Sequence, residues 1–391
     1  MKWKFYSLAF VAGMSILTAC SSDDNNDNDG NGGNGNGNEI ENGTILKGTI
    51  TSDVTLAAGN TYKLSGEYIV EEGATLHIEE GVKIIAVYDD IADYILVKQG
   101  GKINAVGTPD KPIVMTSEKE EPGAWGGIHI CGRAHTNAEG GKGSSEIGGA
   151  VYGGNDDADN SGTLQYIRLE YTGFAFDEEH EANGISFYSV GNGTIVDHCQ
   201  AYKGSDDGFE FFGGSVNVSN LVAVSCSDDS FDWTEGWNGK GTNLVAYQEA
   251  ESTLGYDCDC LMECDNNGSN NAATPVAHPV LKNLILVGNG GSKQGIRLRA
   301  GTEVEIDNAK VCGKGQPLTV ETALTENALK NGTSKLTNIT LTSELSSKEG
   351  IYTHADFIAV TSNKVDANLS YSSFEDIRKE CSWMKDRKSV V

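Results

Sequence analysis

The sequence predicts an all-β protein whose short strands wind into a solenoid. Two observations predict it: a composition rich in turn residues, and a motif that recurs after 22 residues. The 391-residue chain contains 49 glycines and only 6 prolines, with many Asn, Asp, Ser and Thr residues. Such a composition is typical of short strands joined by tight turns. The chain is also long enough to form one elongated domain without structural staples.

The recurring motif alternates apolar and polar residues. Residues 205–211 read SDDGFEF, and residues 227–233 read SDDSFDW. The short segments 184–187 and 295–298 share this alternation. A period of two indicates strands with one buried face. The phase predicts inward aromatic and aliphatic side chains, and one outward column formed by Ser186, Glu210, Asp232 and Arg297.

A second family of short strands interleaves with the first. Its members are residues 167–169, 220–224, 243–247, 283–287 and 338–341. Two short strands in about 22 residues match one coil of a β-solenoid, in which stacked coils bury a common apolar core. A β-propeller is disfavoured because its repeats are about 40 residues long. A β-sandwich is the other alternative.

The coils together resemble a right-handed parallel β-helix of the pectate-lyase type, over about residues 45–345. This resemblance implies a β-helix domain at residues 43–345 and a C-terminal cap at 346–391. Residues 321–330 and 372–385 have helical spacing, the latter with serines suited to an N-cap. We expect these short helices to cover the unpaired edge that an end coil exposes.

The N-terminus predicts export and lipid anchoring. Residues 1–19 combine Lys2 and Lys4 with an apolar run too short to span a bilayer, as in a signal peptide. The following Cys20 completes a sequence that resembles the lipobox of bacterial lipoproteins, which implies lipidation of its thiol. Residues 20–42 form an acidic Asn/Gly-rich tether that is expected to be disordered.

The acidic residues after Cys20 resemble the surface-export tag of some Gram-negative lipoproteins. The resemblance implies an outer-membrane protein that faces the cell exterior. A polar spacer facing the periplasm is the alternative. The formal net charge of −27 argues against nucleic acid and against anionic lipid surfaces as partners, and it permits cations such as calcium.

Eight cysteines follow Cys20. Cys258, Cys260 and Cys264 crowd together in a loop-like stretch. Outside the cytosol, a local disulfide is favoured over a metal site for such a group. The pairing cannot be read from the sequence.

The outward column and the turns before it are strongly acidic. Equivalent positions of successive coils stack about 4.8 Å apart, so that like charges repel. Asp257 joins the column if residues 256–258 form a further coil. A calcium ion, which takes six to eight oxygen ligands, is a natural compensation. The alternative is a set of solvated acids.

The acidic turns also resemble a motif of polysaccharide lyase family 9. The sequence has an Asp-Gly-Phe turn at residues 207–209 and an Asp-Asp-x-x-Asp turn at residues 228–232. The resemblance implies calcium ligands at Asp207, Asp228, Asp229 and Asp232. The family's basic catalytic strand is matched by residues 294–298, where Arg297 replaces a lysine.

Three functions are compatible with these features. The first is a surface lipoprotein whose β-helix flank binds a polysaccharide, with calcium, through Glu210, Trp237, Arg297 and Arg299. The second is a calcium-dependent lyase that cleaves uronate glycans by β-elimination, with Arg297 as the base, although Arg is a poor base. The third is a structural or adhesive surface protein. Trp237 is a sugar-contact candidate because it lies in a turn-like stretch, whereas the phase of Trp233 favours the core.

Overall fold

The computed structural model describes residues 38–89, 91–177 and 180–384. The predicted signal peptide and Cys20 lie outside this part of the chain, as does most of the tether. The described residues form one 25-stranded sheet and a separate two-stranded hairpin. No described helix is long and apolar enough to cross a membrane.

The strands follow one another along the whole described chain. Their bounds are β1 (Asn38–Ile40), β2 (Ile45–Ile50), β3 (Val54–Leu56), β4 (Thr61–Val70), β5 (Thr75–Ile78), β6 (Lys83–Ala86), β7 (Tyr94–Val97), β8 (Lys102–Val106), β9 (Ile113–Ser117), β10 (Ile128–Cys131), β11 (Gly143–Ser144), β12 (Val151–Tyr152), β13 (Gly162–Glu170), β14 (Ile185–Tyr188), β15 (Ile195–Tyr202), β16 (Phe209–Phe212), β17 (Asn217–Val224), β18 (Phe231–Thr234), β19 (Lys240–Tyr247), β20 (Met262–Cys264), β21 (Val280–Val287), β22 (Gln294–Leu298), β23 (Glu305–Cys312), β24 (Gln316–Val320), β25 (Lys335–Leu341), β26 (Ser346–Ser347) and β27 (Lys364–Val365).

Four short α-helices interrupt the strands. They are α1 (Glu251–Leu254), α2 (Ala323–Asn331), α3 (His354–Ala359) and α4 (Phe374–Glu380), and short 3₁₀ segments occur at Glu139–Gly141 and Ser382–Met384.

The large sheet is a parallel β-helix with three faces. Each regular coil contributes one long strand, such as β15, and one short strand, such as β16. The long strand pairs with the long strands of neighbouring coils along both of its halves, which form faces 1 and 2. The short strands β7, β10, β14, β16, β18, β20, β22 and β24 stack as face 3. The predicted parallel β-helix is therefore confirmed.

Each long strand bends between faces 1 and 2 at one residue with positive φ. In four successive coils this residue is Asn220, Asn243, Asn283 or Asn308, with φ between 56° and 64°. Asn tolerates this left-handed conformation better than most residues. The side-chain amides hydrogen-bond from coil to coil at 2.8, 3.0 and 2.9 Å. This ladder fixes the register of the coils.

The core runs inside the coils and is lined by the inward positions of all three faces. On face 3, Phe187 stacks on Phe211 with ring centroids 5.1 Å apart, and Phe209 stacks on Phe231 at 5.6 Å. Both pairs lie on neighbouring coils in direct register. The inward phase predicted from the alternation is thus correct.

The C-terminal region divides between the end and the side of the β-helix. Tyr352 and Phe357, the latter on α3, belong to the core cluster and close its last coils. In contrast, α4 lies outside face 2, where Ile377 and Met384 pack with Val222 and Val245. The expectation that residues 372–385 cover the end coil is wrong, because outward valines on face 2 offer this helix an apolar stripe.

Candidate functional site

The outward positions of face 3 form the predicted column, with one additional member. Backbone register aligns Ser186 with Glu210, Glu210 with Asp232, Asp232 with Glu263, and Glu263 with Arg297. We call Glu210, Asp232 and Glu263 the acidic column. Glu263 is not among the column residues predicted from the sequence, although Met262 and Cys264 on either side carry the apolar-polar-apolar signal.

Asp257 does not belong to this column. Its carboxylate accepts hydrogen bonds from Asn289 Nδ2 at 2.8 Å and from the backbone N–H of Cys258 at 2.9 Å. The face 3 strand of this coil is β20, because helix α1 and the following segment delay it along the chain. The expectation that residues 256–258 form the coil is therefore wrong.

Two acids in the turns before face 3 help to hold successive coils together. The Asn183 side-chain oxygen accepts the N–H of Asp207 at 3.2 Å, and Asp207 Oδ1 accepts the N–H of Asp229 at 2.8 Å. Asp229 Oδ1 in turn accepts the N–H of Cys260 at 2.6 Å. Only one oxygen of each of these two carboxylates is used in this way.

These turn acids and the acidic column converge into overlapping carboxylate groups. Three groups have side-chain oxygens that all lie within 4.8 Å of one another: Asp206, Asp207 and Asp228; Asp207, Glu210 and Asp232; and Asp229, Asp232 and Glu263. The four predicted calcium ligands all occur in these groups. Asp232 Oδ1 is buried and has no hydrogen-bond partner among the described residues.

The carboxylates of this site resist ionisation. Burial, followed by the neighbouring carboxylates, raises the pKa values of Asp207, Asp229 and Asp232 well above their usual range. Burial, followed by the charges of Asp228 and Glu181, raises the pKa of Asp206 to about 8. A site of this kind either retains protons or gains a cation that offsets its negative charge.

The arginines at the far end of the column are held by carboxylates. Arg297 Nη1 lies 2.8 Å from Glu263 Oε1, and its Nε lies 3.3 Å from Glu321 Oε1. Arg299 Nε lies 2.7 Å from Asp265 Oδ1, and its Nη2 contacts Glu263. Burial of Arg297 opposes its charge, but the ion pairs outweigh it and raise its pKa. Both side chains are about one-third exposed or less.

Trp237 is a core residue, and the structure contradicts its prediction as a sugar contact. It is 1% exposed, and its ring stacks on Phe211 with centroids 4.1 Å apart. Its Nε1–H donates to the backbone carbonyl of Val216 at 3.2 Å. The stretch 235–240 forms a turn as predicted, but this turn folds the indole ring inward.

No disulfide joins Cys258, Cys260 and Cys264 to one another in the described part of the chain. Cys258, Cys260 and Cys264 are buried as thiols, so the structure does not bear out the expected local disulfide. Burial raises the pKa of Cys258 to about 12. Cys264 acts as a small apolar group of the core, whereas the Cys260 thiol donates to Asp259 Oδ1 at 3.4 Å.

A polar groove adjoins the acidic column on the same flank. It has a volume of about 770 Å³ and is lined by Asn137, Ala138, Glu139, Thr234, Glu235, Asn267, Gly268, Ser269 and Asn270. We call this the amide groove. Its lining residues come mainly from two insertions between strands, so no periodic signal marks them.

The sequence matches the profile of a known family over residues 48–386, and this family is described as a pectate-lyase-like β-helix domain. The chain belongs to this family. No curated protein matches the sequence.

Among solved structures, the Dettilon tailspike protein gp208 is similar at 9% sequence identity and a TM-score of 0.31. The match covers 76% of this chain and 56% of the tailspike chain. A similarity at this level carries no functional argument.

Proposed function

We propose that face 3 of this β-helix binds a polysaccharide, and that a calcium ion held by Asp207, Asp228, Asp229 and Asp232 takes part in binding. The observation that carries the proposal is a run of three overlapping carboxylate groups on the flank of a pectate-lyase-like β-helix, each of which contains two of these four residues beside Asp206, Glu210 or Glu263. Elongated β-helix flanks with polar outward columns offer an open surface along which a linear polymer can lie.

The residues fit calcium rather than a softer metal. The donor atoms in the three carboxylate groups are all oxygens, which suit a hard cation with six to eight ligands, whereas a fourth group, Asp229, Asp259 and Cys260, includes a thiol and suits calcium less well. The buried and unpartnered Asp232 Oδ1 is an atom that such an ion would satisfy. Bound calcium would supply positive charge that attracts an acidic sugar.

The arginines that follow the column support binding more than catalysis. Arg297 and Arg299 each retain an exposed part of the side chain, so they can add hydrogen bonds to a sugar carboxylate or hydroxyl. Because Glu263 and Glu321 stabilise the charged form of Arg297, removal of a proton from it is difficult. This environment disfavours Arg297 as the base of a lyase.

The cellular location that we propose follows from the N-terminal sequence. Lipidation of Cys20 would hold the β-helix at the outer membrane, facing outward, through the Asn/Gly-rich segment that follows this residue. Radiolabelled fatty-acid incorporation with a Cys20→Ala control, and protease shaving of intact cells, would check these two points. Absent incorporation would contradict the anchor, and full protection in intact cells would contradict exposure.

Calcium binding is tested by thermal unfolding of the mature protein at increasing calcium concentration. We expect the midpoint to rise, because an ion bound only by the folded state stabilises it by about 2.7 kcal/mol at a concentration of 100 Kd. Asp228→Ala is the most suitable variant, since Asp228 is exposed and its side chain takes no part in the hydrogen bonds that link Asp207, Asp229 and Cys260 from coil to coil. Glu344→Ala, an exposed acid elsewhere, is the matched control.

Polysaccharide binding is tested on a glycan array with calcium and with EDTA. We expect the wild type to retain uronate-containing glycans in calcium, and the Asp228→Ala variant to retain them weakly. Incubation with the same polymers, followed by absorbance of unsaturated products, reports lyase activity. A calcium-independent midpoint would contradict the metal site, and no retained glycan in any condition would contradict the function.

A further inference from the structure

The amide groove lies where two insertions meet on the flank of the β-helix. One insertion, residues 132–161, connects β10 to β13 and contributes residues 137–139. The other follows β20 and contributes residues 267–270. Thr234 and Glu235, at the end of β18, line the groove between them. Its volume of about 770 Å³ falls within the range of about 300–1,000 Å³ that small-molecule sites occupy.

An amide network fixes the two walls relative to each other. Asn137 Nδ2 donates to Asn266 Oδ1 at 2.8 Å and to the Pro275 carbonyl at 3.0 Å. In return, Asn267 Nδ2 donates to Asn137 Oδ1 at 3.0 Å. Asn266, which is fully buried, also accepts the N–H of Ala277 at 2.8 Å. The groove is therefore preorganised, which lowers the entropic cost of binding a ligand.

Glu235 is held in a defined orientation at the groove. Its Oε2 accepts hydrogen bonds from Thr136 Oγ1 at 2.7 Å and from the Tyr152 hydroxyl at 3.0 Å. Both donors come from the insertion at 132–161. Because both bonds use the same oxygen, Oε1 remains as an acceptor for a ligand hydroxyl. Burial raises the pKa of Glu235, so this carboxyl also acts as a hydrogen-bond donor when protonated.

The chemistry of the lining favours an uncharged, hydroxyl-rich ligand. Asn, Ser and Thr side chains supply paired donors and acceptors, while Glu139 and Glu235 repel anions. No Lys or Arg occurs among the residues that line the groove. Neutral sugars present this density of hydroxyl groups.

The groove adjoins the acidic column closely enough to serve the same chain of sugars. Thr234 and Asp232 both point outward from β18 and are two residues apart, which corresponds to about 7 Å along a strand. We propose that the amide groove is a subsite for neutral sugar residues, next to the site that takes acidic residues. This inference rests on the proposed function, and it specifies a heteropolymer with both acidic and uncharged units.

The experiment measures binding of the mature protein to two sets of polymers, each with calcium and with EDTA. The neutral set is galactan, mannan and xyloglucan, and the acidic set is polygalacturonate and alginate. Ser269→Trp fills the groove from an exposed position in its wall, and Glu235→Gln keeps the bonds to Thr136 and Tyr152 while altering the free acceptor. Ser52→Trp, at an exposed turn far along the chain, is the matched control.

We expect the wild-type protein to bind a neutral polymer both in calcium and in EDTA. Relative to the wild type, Ser269→Trp should bind it at least about tenfold more weakly, and Glu235→Gln should also bind it more weakly. Ser52→Trp should bind it with unchanged affinity. If neutral polymers do not bind, or bind equally well to both groove variants, the subsite is overturned. Calcium-dependent binding of the acidic polymers in the same experiment would still support the proposed function. Neutral binding without any acidic binding supports the subsite and overturns the calcium-dependent part of the function. No binding in any condition overturns both.

Discussion

The two halves of face 3 share one backbone geometry and differ in what their outward side chains do. In the first half, Tyr94, Leu96, Cys131 and Tyr188 point outward, and the insertion at 132–161 covers them to form a second apolar cluster. In the second half, the outward column consists of Glu210, Asp232 and Glu263 followed by Arg297. The comparison teaches that an open, charged outward column is not needed for the fold. It is therefore the better candidate for function.

The boundary between the halves lies on a single strand. On β16, Phe212 belongs to the covered apolar cluster, whereas Glu210 begins the acidic column. The hairpin of β11 and β12 supplies the covering residues Ile147, Ala150 and Tyr152. The insertion at 132–161 thus covers the outward apolar residues, and the acidic column begins where this covered cluster ends.

The largest effect on stability is expected from a substitution in the covered half of face 3, where the insertion at 132–161 packs on the outward residues. Tyr188→Ala removes a ring that stacks on Phe212 at 4.4 Å and packs against Tyr152 at 5.1 Å. We expect a loss of about 3–5 kcal/mol, as for other large-to-small changes of buried aromatics. Urea unfolding measures it. The control is Thr234→Ala, which changes the equivalent position two coils further along, in the open half. Equal losses of stability in both variants would contradict the difference between the two halves.

A smaller effect, of up to about 4 kcal/mol, is expected from substituting Asp93, a buried acid directly before Tyr94 of the covered half. Asp93 is 1% exposed, its Oδ1 accepts the N–H of Gly66 at 2.5 Å, and its Oδ2 has no partner among the described residues. Burial raises its pKa from 3.8 to about 7, a gap that corresponds to about 4 kcal/mol.

The sign of this effect follows from the direction of the pKa change. Because the folded state holds the Asp93 proton more tightly, its contribution to stability is complete below about pH 4 and is lost as the pH rises through about 7. Asp93→Asn should therefore gain stability relative to the wild type over this window and level off above it. Thermal midpoints between pH 4 and pH 8 measure the difference; a constant difference would contradict the argument.

Within the open half, Glu263→Gln should destabilise the protein by about 1–3 kcal/mol. Glu263 pairs with Arg297 and Arg299, and its loss leaves each of these partly buried arginines with one carboxylate partner instead of two. Urea unfolding in EDTA isolates this effect from metal binding. A gain in stability would show that the arginines do not need this carboxylate.

The smallest expected effect is a gain in stability, opposite to the loss expected for Glu263→Gln. In EDTA, Asp232→Asn should stabilise the protein by about 1–2 kcal/mol, because it removes a carboxylate whose Oδ1 lacks a partner and whose neighbours are acids. In saturating calcium, the same variant should be less stable than the wild type. Thermal midpoints of the variant and the wild type, measured in EDTA and in saturating calcium, test both expectations. If the variant differs from the wild type in the same direction in both conditions, Asp232 has no role in binding the ion.

Sequence reasoning could predict the coils and the phase of face 3 because both follow from local alternation. Phe209, Phe211 and Phe231 point inward, and Glu210 and Asp232 point outward, as a period of two requires. The same reasoning failed at Asp257, where α1 shifts the coil, and at Trp237, where a turn-like stretch folds an indole into the core. Turn chemistry indicates that the chain reverses, but not which side chain becomes buried.

The sequence by itself determined the parallel β-helix and the acidic outward positions, since each coil repeats the pattern of the coil before it. Only the tertiary structure decided which outward positions are covered, where α4 packs, and which insertions meet at the amide groove. These features depend on contacts between residues distant in the chain, such as Asn137 with Asn266. No local period encodes such contacts, because each depends on how far an irregular segment reaches before the next coil begins.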